Sequence, residues 1–344
     1  MTALLATVGP ATGDRATMTA LIRLGVGGLR FSASKFGPAQ LAAQAADALA
    51  ASRAAGRPVE LLLDLPGVKT RFTNTRPLDL AAVRRFRVVH GARPAREGGE
   101  VPELGLSAPQ WGRRLARGDV LLLGDGEDAA RVVSVAADHC VAEPLTGGVL
   151  GPRKGVCVQG GGPRGSGAAA PADLALLERL AHAPFTGAVV SFAESAADLA
   201  PVRAAWGGRG ANAVVAKVET VAGAAAVAEV ARAADSVLLG RGDLLLDAGA
   251  VEFPGLCAHV VRECARLSVP VVVGTQLLAG LENSWLPHRS ELAHLCELLE
   301  SGVDGLLLAT ETTIGADPLR TVSLLAELAR RYGTPAAGRR QVRG

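Results

Sequence analysis

Residues 213–247 read AVVAKVETVAGAAAVAEVARAADSVLLGRGDLLLD, and the reading of this stretch decides the fold class. Two short apolar runs, 213–216 and 236–239, each end in charge: the first at Lys217, with Glu219 shortly after, the second at Arg241, Gly242 and Asp243. An alanine-rich helix is expected between them, over 221–234. Short apolar runs alternating with helices mark parallel strands buried on both faces, and in such sheets the chemistry gathers beyond the carboxyl ends of the strands. Lys217, Glu219 and Asp243 fall there. Two carboxylates from adjacent strand ends, with Gly242 letting the backbone come close, make a hard oxygen site suited to a divalent cation. A lysine alongside would neutralise a phosphate or enolate oxygen. A structural ion pair between Lys217 and one of the acids fits the same spacing, because such pairs also cluster charge.

The same rhythm runs outward in both directions. Strands are expected at 4–8, 28–31, 60–63, 187–191, 270–274 and 305–308, and helices at 14–24, 39–55, 196–206, 256–267, 289–301 and 318–332. With the two strands of the opening stretch, the count fits a closed eight-stranded parallel α/β barrel. Between 73 and 155 the rhythm breaks into β-type alternation with Arg, Pro and Gly clusters and the turn GDGED. This segment is read as a small all-β domain inserted after the third strand, leaving 1–72 and 156–332 to the barrel. The tract GGGPRGSGAAAP, 160–171, is expected to be a mobile return linker, and 333–344 a disordered polar tail.

Composition narrows the function. A formal charge of +3 and only 3% aromatic residues argue against a nucleic-acid surface, which needs a basic patch and stacking platforms. Cys140, Cys157, Cys257, Cys264 and Cys296 show neither CxxC spacing nor a His-paired ligand pattern, so neither zinc nor a disulfide framework is expected. No apolar run approaches the ~20 residues of a bilayer span, and no basic leader precedes the first strand, so a cytoplasmic protein without a membrane partner is expected.

At successive strand ends the chain resembles the pyruvate kinase family, motif by motif and in order. ATVGPAT (6–12) stands for the family's ATIGPAS, RFSASKF (30–36) for RLNFSHG, LDLPGVKTR (63–71) for LDxKGPxxR and KGVCVQG (154–160) for KGVNLPG. SF (191–192), KVE (217–219), GRGDL (240–244), GTQLL (274–278) and ATETTIGADP (309–318) follow as SFV, KIEN, ARGDLG, ATQML and SGETAxGxYP. The resemblance implies a barrel with a lid-like β domain and a phosphotransferase moving phosphate between an enolpyruvate and ADP/ATP. It implies Glu219 and Asp243 as ligands of Mg2+ or Mn2+, and Lys217 and Arg30 as cations at the transferring phosphoryl group, with Arg71 adding charge. It also implies Thr275 near the substrate methyl carbon and its proton relay, the backbone at Gly242 and Asp243 on the substrate carboxylate, Ser191 in the substrate pocket and Lys154 brought toward it. A homo-oligomer is expected, without effector control through the C-terminal domain that most members add.

The departures are as informative. Ser32 and Lys35 replace an Asn and a His, so Ser32, Ser34 and Asp64 make a poor potassium cage. Lys69 stands where potassium-dependent members carry Glu, with Leu65 beside Asp64 as in members that work without potassium. Lys69 is therefore expected to supply the missing monovalent charge by neutralising Asp64, and potassium not to be required. Phe36, Gln40, Ala309, Thr310 and Ile314 depart on the nucleotide side. That leaves room for an alternative, a metal-dependent lyase or enolising enzyme acting on a 2-oxo acid without nucleotide. A binding paralogue without activity fits less well, because the costly charged groups persist together.

Overall fold

The computed structural model describes residues 2–89, 101–107, 115–160, 170–206 and 212–333. Eight parallel strands, β1 (Ala3–Thr7), β2 (Val26–Ser32), β3 (Glu60–Asp64), β4 (Gly187–Val190), β5 (Ala213–Val218), β6 (Ser236–Gly240), β7 (Val271–Gly274) and β8 (Gly305–Leu308), pair in chain order and close β8 onto β1. The strands are short apolar runs because both their faces are covered. Outward residues such as Leu29, Leu63, Val214, Leu239 and Val273 pack with the surrounding helices in the main core. Inward residues Leu5, Leu62, Val189, Val215, Leu238 and Leu307, with Val272, form a separate cluster that plugs the barrel. The fold class is the expected one, a (β/α)8 barrel with a small β region inserted after β3.

That small region holds a six-stranded sheet around its own core of Phe72, Phe86, Val88, Leu121, Val132 and neighbours. Its pairings are antiparallel except for Phe86–Val89 against Glu103–Gly105. The sheet runs past the expected end at 155, because Val156–Val158 pairs with Val120–Leu123 as its edge strand. The expected mobile linker lies mostly, and the expected disordered tail almost wholly, outside the described residues.

Several elements differ from the sequence expectation. β5 continues through Lys217 to Val218, so the lysine is a strand residue facing inward rather than the end of the strand. The helix expected over 221–234 is two, Val221–Ala225 and Val227–Ala233, divided at Ala226, and Thr220 caps the first by accepting from the Gly223 amide. The helix expected over 256–267 begins at Arg241, directly after β6, and is broken at Gly249, whose φ is 74°. A further helix, Pro171–Arg179, leads into β4. Arg241–Leu267 is by length and composition apolar enough to cross a bilayer. It is nevertheless broken at Gly249 and carries buried Arg241 and Asp247.

Candidate active site

The site is the next layer of the barrel interior above the apolar plug. Side chains alternate along a strand with period two, so the residue two places beyond each plug residue faces inward at the mouth. Thr7 follows Leu5 in this way, Arg30 follows Gly28, Asp64 follows Leu62, Ser191 follows Val189, Lys217 follows Val215, and Gly240 follows Leu238. At Gly240 no side chain fits: a Cβ there would come within 2.9 Å of Glu219 Oε2 and 3.2 Å of Lys217 Cε.

Four charged groups interlock in this layer. Arg30 donates from Nε to Asp64 Oδ2 at 3.1 Å and from Nη1 to Thr7 Oγ1 at 3.0 Å, while Nη2 closes the fork on Asp64. Lys217 Nζ lies 2.9 Å from Glu219 Oε2 and 3.5 Å from Ser191 Oγ. Burial alone would push Asp64 upward, yet Arg30 and then Lys217 hold its carboxyl below the ordinary range. Lys217 is held charged against burial by Asp64 first and Glu219 second. Glu219 goes the other way: at 1% exposure, burial raises its pKa, Lys217 offsets this in part, and the charge of Asp243 raises it further. Its other oxygen, Oε1, accepts from the Phe192 amide at 3.0 Å. Phe192 has φ 58°, a left-handed conformation that turns this amide onto the carboxylate.

The second carboxylate, Asp243, stands in the first turn of the helix that leaves β6. Its Oδ1 is 3.0 Å from Lys69 Nζ, which also lies 3.3 Å from Asp125 Oδ1 in the turn of the small sheet. Asp243 and then Asp125 raise the Lys69 pKa against burial. Lys69 therefore does not neutralise Asp64 as expected. Asp64 is 4% exposed and already compensated by Arg30 and Lys217, while the chain turns at Gly67 toward the small sheet and carries Lys69 with it.

No group of three or more His, Cys, Asp or Glu among the described residues forms a metal cluster. The donor set nonetheless suits a hard divalent ion. Two carboxylates stand close enough for the charge of Asp243 to raise the proton affinity of Glu219, and each is faced by a lysine ammonium, Lys217 on Glu219 and Lys69 on Asp243, so the site already attracts cations. Glu219 and Asp243 are the residues that would hold the metal.

The loop that leaves β7 carries backbone strain. Thr275 and Gln276 have φ of 75° and 52°, and left-handed geometry at a β-branched residue persists only where the surroundings impose it. Here Arg241 imposes it: Nε donates to the Gly274 carbonyl at 3.0 Å and Nη2 to the carbonyls of Thr275 and, at 3.1 Å, Gln276. Buried Glu311 completes the loop, accepting from the amides of Leu277, Leu278 and Ala309. Thr275 is thereby pressed against Gly242, where an added Cβ would lie 3.2 Å from its Cγ2. From sequence Arg241 is only a charge at the end of a strand and Glu311 carries no role, although both lie inside motifs that do.

Residues 1–322 match the family described as pyruvate kinase, barrel domain. The pyruvate kinase of Aeropyrum pernix is 32% identical over 331 residues, covering 95% of this chain and 70% of that protein. The chain belongs to the pyruvate kinase family. The pyruvate kinases of Haemophilus influenzae and Thermococcus litoralis are 28% and 24% identical, each over 69% of its own length. This pyruvate kinase-like transferase assembles Arg30, Asp64, Ser191, Lys217 and Glu219 in one layer, with Asp243 and Thr275 at its edge. Arg71 and Lys154 are not joined to that layer. The Arg71 guanidinium donates to the Arg153 carbonyl at 3.3 Å, and Lys154 Nζ pairs with Glu127 at 2.8 Å in the small sheet. Ser32 Oγ and Ser34 Oγ bond each other at 2.9 Å, and Ser32 is in register with Asp64 on the neighbouring strand.

Proposed function

We propose that this member of the pyruvate kinase family transfers a phosphoryl group between phosphoenolpyruvate, or a related enolpyruvate, and ADP/ATP, with Mg2+ or Mn2+ and without potassium. The observation that carries the reading is the interlocked Arg30–Asp64 and Lys217–Glu219 cluster with Asp243 beside it. Phosphoryl transfer asks the protein chiefly for positioning and for positive charge at the equatorial oxygens. Arg30 and Lys217 supply that charge from rigid strands. Asp64 orients the guanidinium, and Glu219 orients the ammonium. The bound divalent ion, held by Glu219 and Asp243, would neutralise phosphate and enolate oxygens. Gly242 and the first amides of its helix offer the carboxylate of the substrate a donor surface. Thr275 Oγ1, fixed by the Arg241 clamp, would exchange the proton at the substrate methyl carbon.

The reading without potassium rests on where positive charge already stands. Arg30 and Lys217 compensate the charge of Asp64, although its Oδ1 accepts no hydrogen bond among the described residues, and Lys69 adds a fixed cation at Asp243, so the charge an extra monovalent ion would answer is already reduced.

One observation favours the second reading, a metal-dependent lyase or enolising enzyme that uses no nucleotide. Ile314, 63% exposed, stands where the family's motif carries a lysine on the nucleotide side. Calorimetric titration with oxalate and with ADP, each with magnesium, separates the two. Binding of both supports the transferase, oxalate alone the enolising enzyme, and failure to bind oxalate would remove the site assignment.

A further inference from the structure

Asp173 is a buried acid to which the phosphotransferase reading gives no task. It lies in the first turn of the helix Pro171–Arg179, where the chain comes back into the barrel from the small sheet, and it is 2% exposed. A buried carboxylate is ordinarily paired with a cation. Among the described residues none stands within ion-pairing distance of Asp173, and the charge of Asp64 works against its ionisation. Its donors are backbone amides, that of Ala170 beside it and that of Gly67, 3.1 Å from Oδ2. Gly67 stands 106 positions earlier, on the segment by which the chain leaves the barrel for the small sheet. Asp173 therefore ties the outgoing connection to the returning one.

The tie reaches the mouth through Gly67. This residue is left-handed, with φ 60°, and an added Cβ would lie 3.1 Å from both Phe192 Cδ2 and Ser191 Cβ and 3.3 Å from the Ser191 carbonyl oxygen. The segment 65–67 is thus laid directly on the turn that follows β4. Leu65 is bonded there twice, donating from its amide to the Val189 carbonyl at 3.0 Å and accepting from Ser191 Oγ at 2.7 Å. Gly67 is held by Asp173. Under this cover Phe192, with φ 58°, turns its amide onto Glu219 Oε1 at 3.0 Å, and the Ala193 amide donates to the Lys217 carbonyl at 3.1 Å. A left-handed phenylalanine persists only where its surroundings impose it. The bonds to β5 fix one side of the turn, and the segment 65–67 closes the other.

We infer that Asp173 is a positioning residue for Glu219: by fixing Gly67 against Ser191 and Phe192, it keeps the Phe192 amide on the carboxylate that would hold the divalent ion. It acts through Gly67 and Phe192, not on the reacting atoms. An effect on metal affinity rests on the proposed function; the hold on the Phe192 amide does not.

Hydrogen exchange of the metal-free protein, read by nuclear magnetic resonance, tests the hold directly. In Asp173→Ala the Phe192 amide should exchange roughly tenfold faster while the Val215 amide in β5 keeps its wild-type rate, because the opening is local. Mn2+ affinity, read by electron paramagnetic resonance, should fall roughly tenfold, the low end of what removing a hydrogen-bonded support of a metal ligand costs. Asp173→Asn keeps an acceptor for the Gly67 amide and should lie nearer the wild type in both readouts. Gly67→Ala, whose Cβ would push on Ser191 and Phe192, should weaken Mn2+ binding by itself and add little to Asp173→Ala, since both act on one contact. Where Asp173→Ala does not fold, Asp173→Leu, which fills the space and equally lacks an acceptor, takes its place. The inference is overturned if the folded variant without an acceptor keeps wild-type Phe192 exchange or Mn2+ affinity, or if Val215 quickens as much as Phe192, which marks a general loss of stability. It is overturned equally if Asp173→Asn is as impaired as that variant, or if the losses from positions 67 and 173 simply add. A wild type that binds no Mn2+ counts against the proposed function, and the exchange rates then decide the positioning role alone.

Discussion

Replacing Lys217 by Met should destabilise the protein in a manner that grows with pH. The methionine keeps most of the apolar stem and deletes only the ammonium. Glu219, its side chain 2% exposed, then loses its partner at 2.9 Å and retains one strong donor, the Phe192 amide. Removing one member of a buried pair costs ~3–5 kcal/mol. The lower end applies here, about 3 kcal/mol at pH 8, because Lys217 is itself 15% exposed and water can partly replace it. Glu219 has a second escape, taking up a proton. Its folded pKa already stands above the ordinary 4.5 because of burial, and losing Lys217 raises it further. A raised carboxyl keeps its full relative stability below the unfolded pKa and loses it as pH rises through the folded value. Near pH 5 the cost should therefore shrink to about 1 kcal/mol. Urea unfolding followed by circular dichroism at pH 5 and pH 8 reads both numbers. Adding Glu219→Gln to Lys217→Met should recover most of the loss at pH 8, since the buried charge is then gone. A single variant as stable as wild type at pH 8, or a loss independent of pH, would refute the reasoning.

Three further outcomes follow from the same geometry. Asp243→Ala and Glu219→Ala should each lower Mn2+ affinity, read by electron paramagnetic resonance, and remove activity worth several kcal/mol of transition-state stabilisation with the fold intact; full activity in either sinks the assignment. Activity should be equal in sodium, potassium and tetramethylammonium buffers of matched ionic strength, while Lys69→Glu, which sets a carboxylate against Asp243 and Asp125, should lower it; a wild-type requirement for potassium would overturn this. Asp173, raised from 3.8 to about 6 chiefly by burial, accepts from the Gly67 amide at 3.1 Å. Because a raised carboxyl loses stability as pH climbs through about 6, Asp173→Asn should stabilise the protein at pH 8 by about 1–2 kcal/mol after allowing for solvent screening, and not at pH 4; thermal melts that show no gain at pH 8 would contradict it.

The barrel was legible because its strands are short apolar runs and its motifs recur at their ends. Lys217 shows where that reading slips. A charge after AVVA looks like the end of a strand, but period two continues through it, and the lysine faces inward above Val215. The break at Ala226 left no trace, because it falls in an alanine-rich stretch, at the end of Ala224–Ala226, whose composition favours helix on both sides. Lys69 was found as a charge, but its partners were not. They depend on where the turn carrying Asp125 meets the barrel mouth, a contact between residues 56 positions apart that no local pattern encodes. Arg241 was passed over for a related reason: its partners are backbone carbonyls and one imidazole, which leave no signature of complementary charge in the sequence.

The apolar plug beneath the mouth has a consequence for the chemistry above it. Leu62, Val215 and Leu238 sit directly under Asp64, Lys217 and Gly240, and they leave those groups without hydration from below. Every ion in the layer therefore meets water on one side at most, and the interactions among them act through a medium of low dielectric constant. Proton affinities at the mouth are set in part by hydrocarbon that no substrate touches. A smaller side chain in the plug would admit solvent beneath Glu219 and return its carboxyl toward ordinary acidity without altering a single ligand of the site.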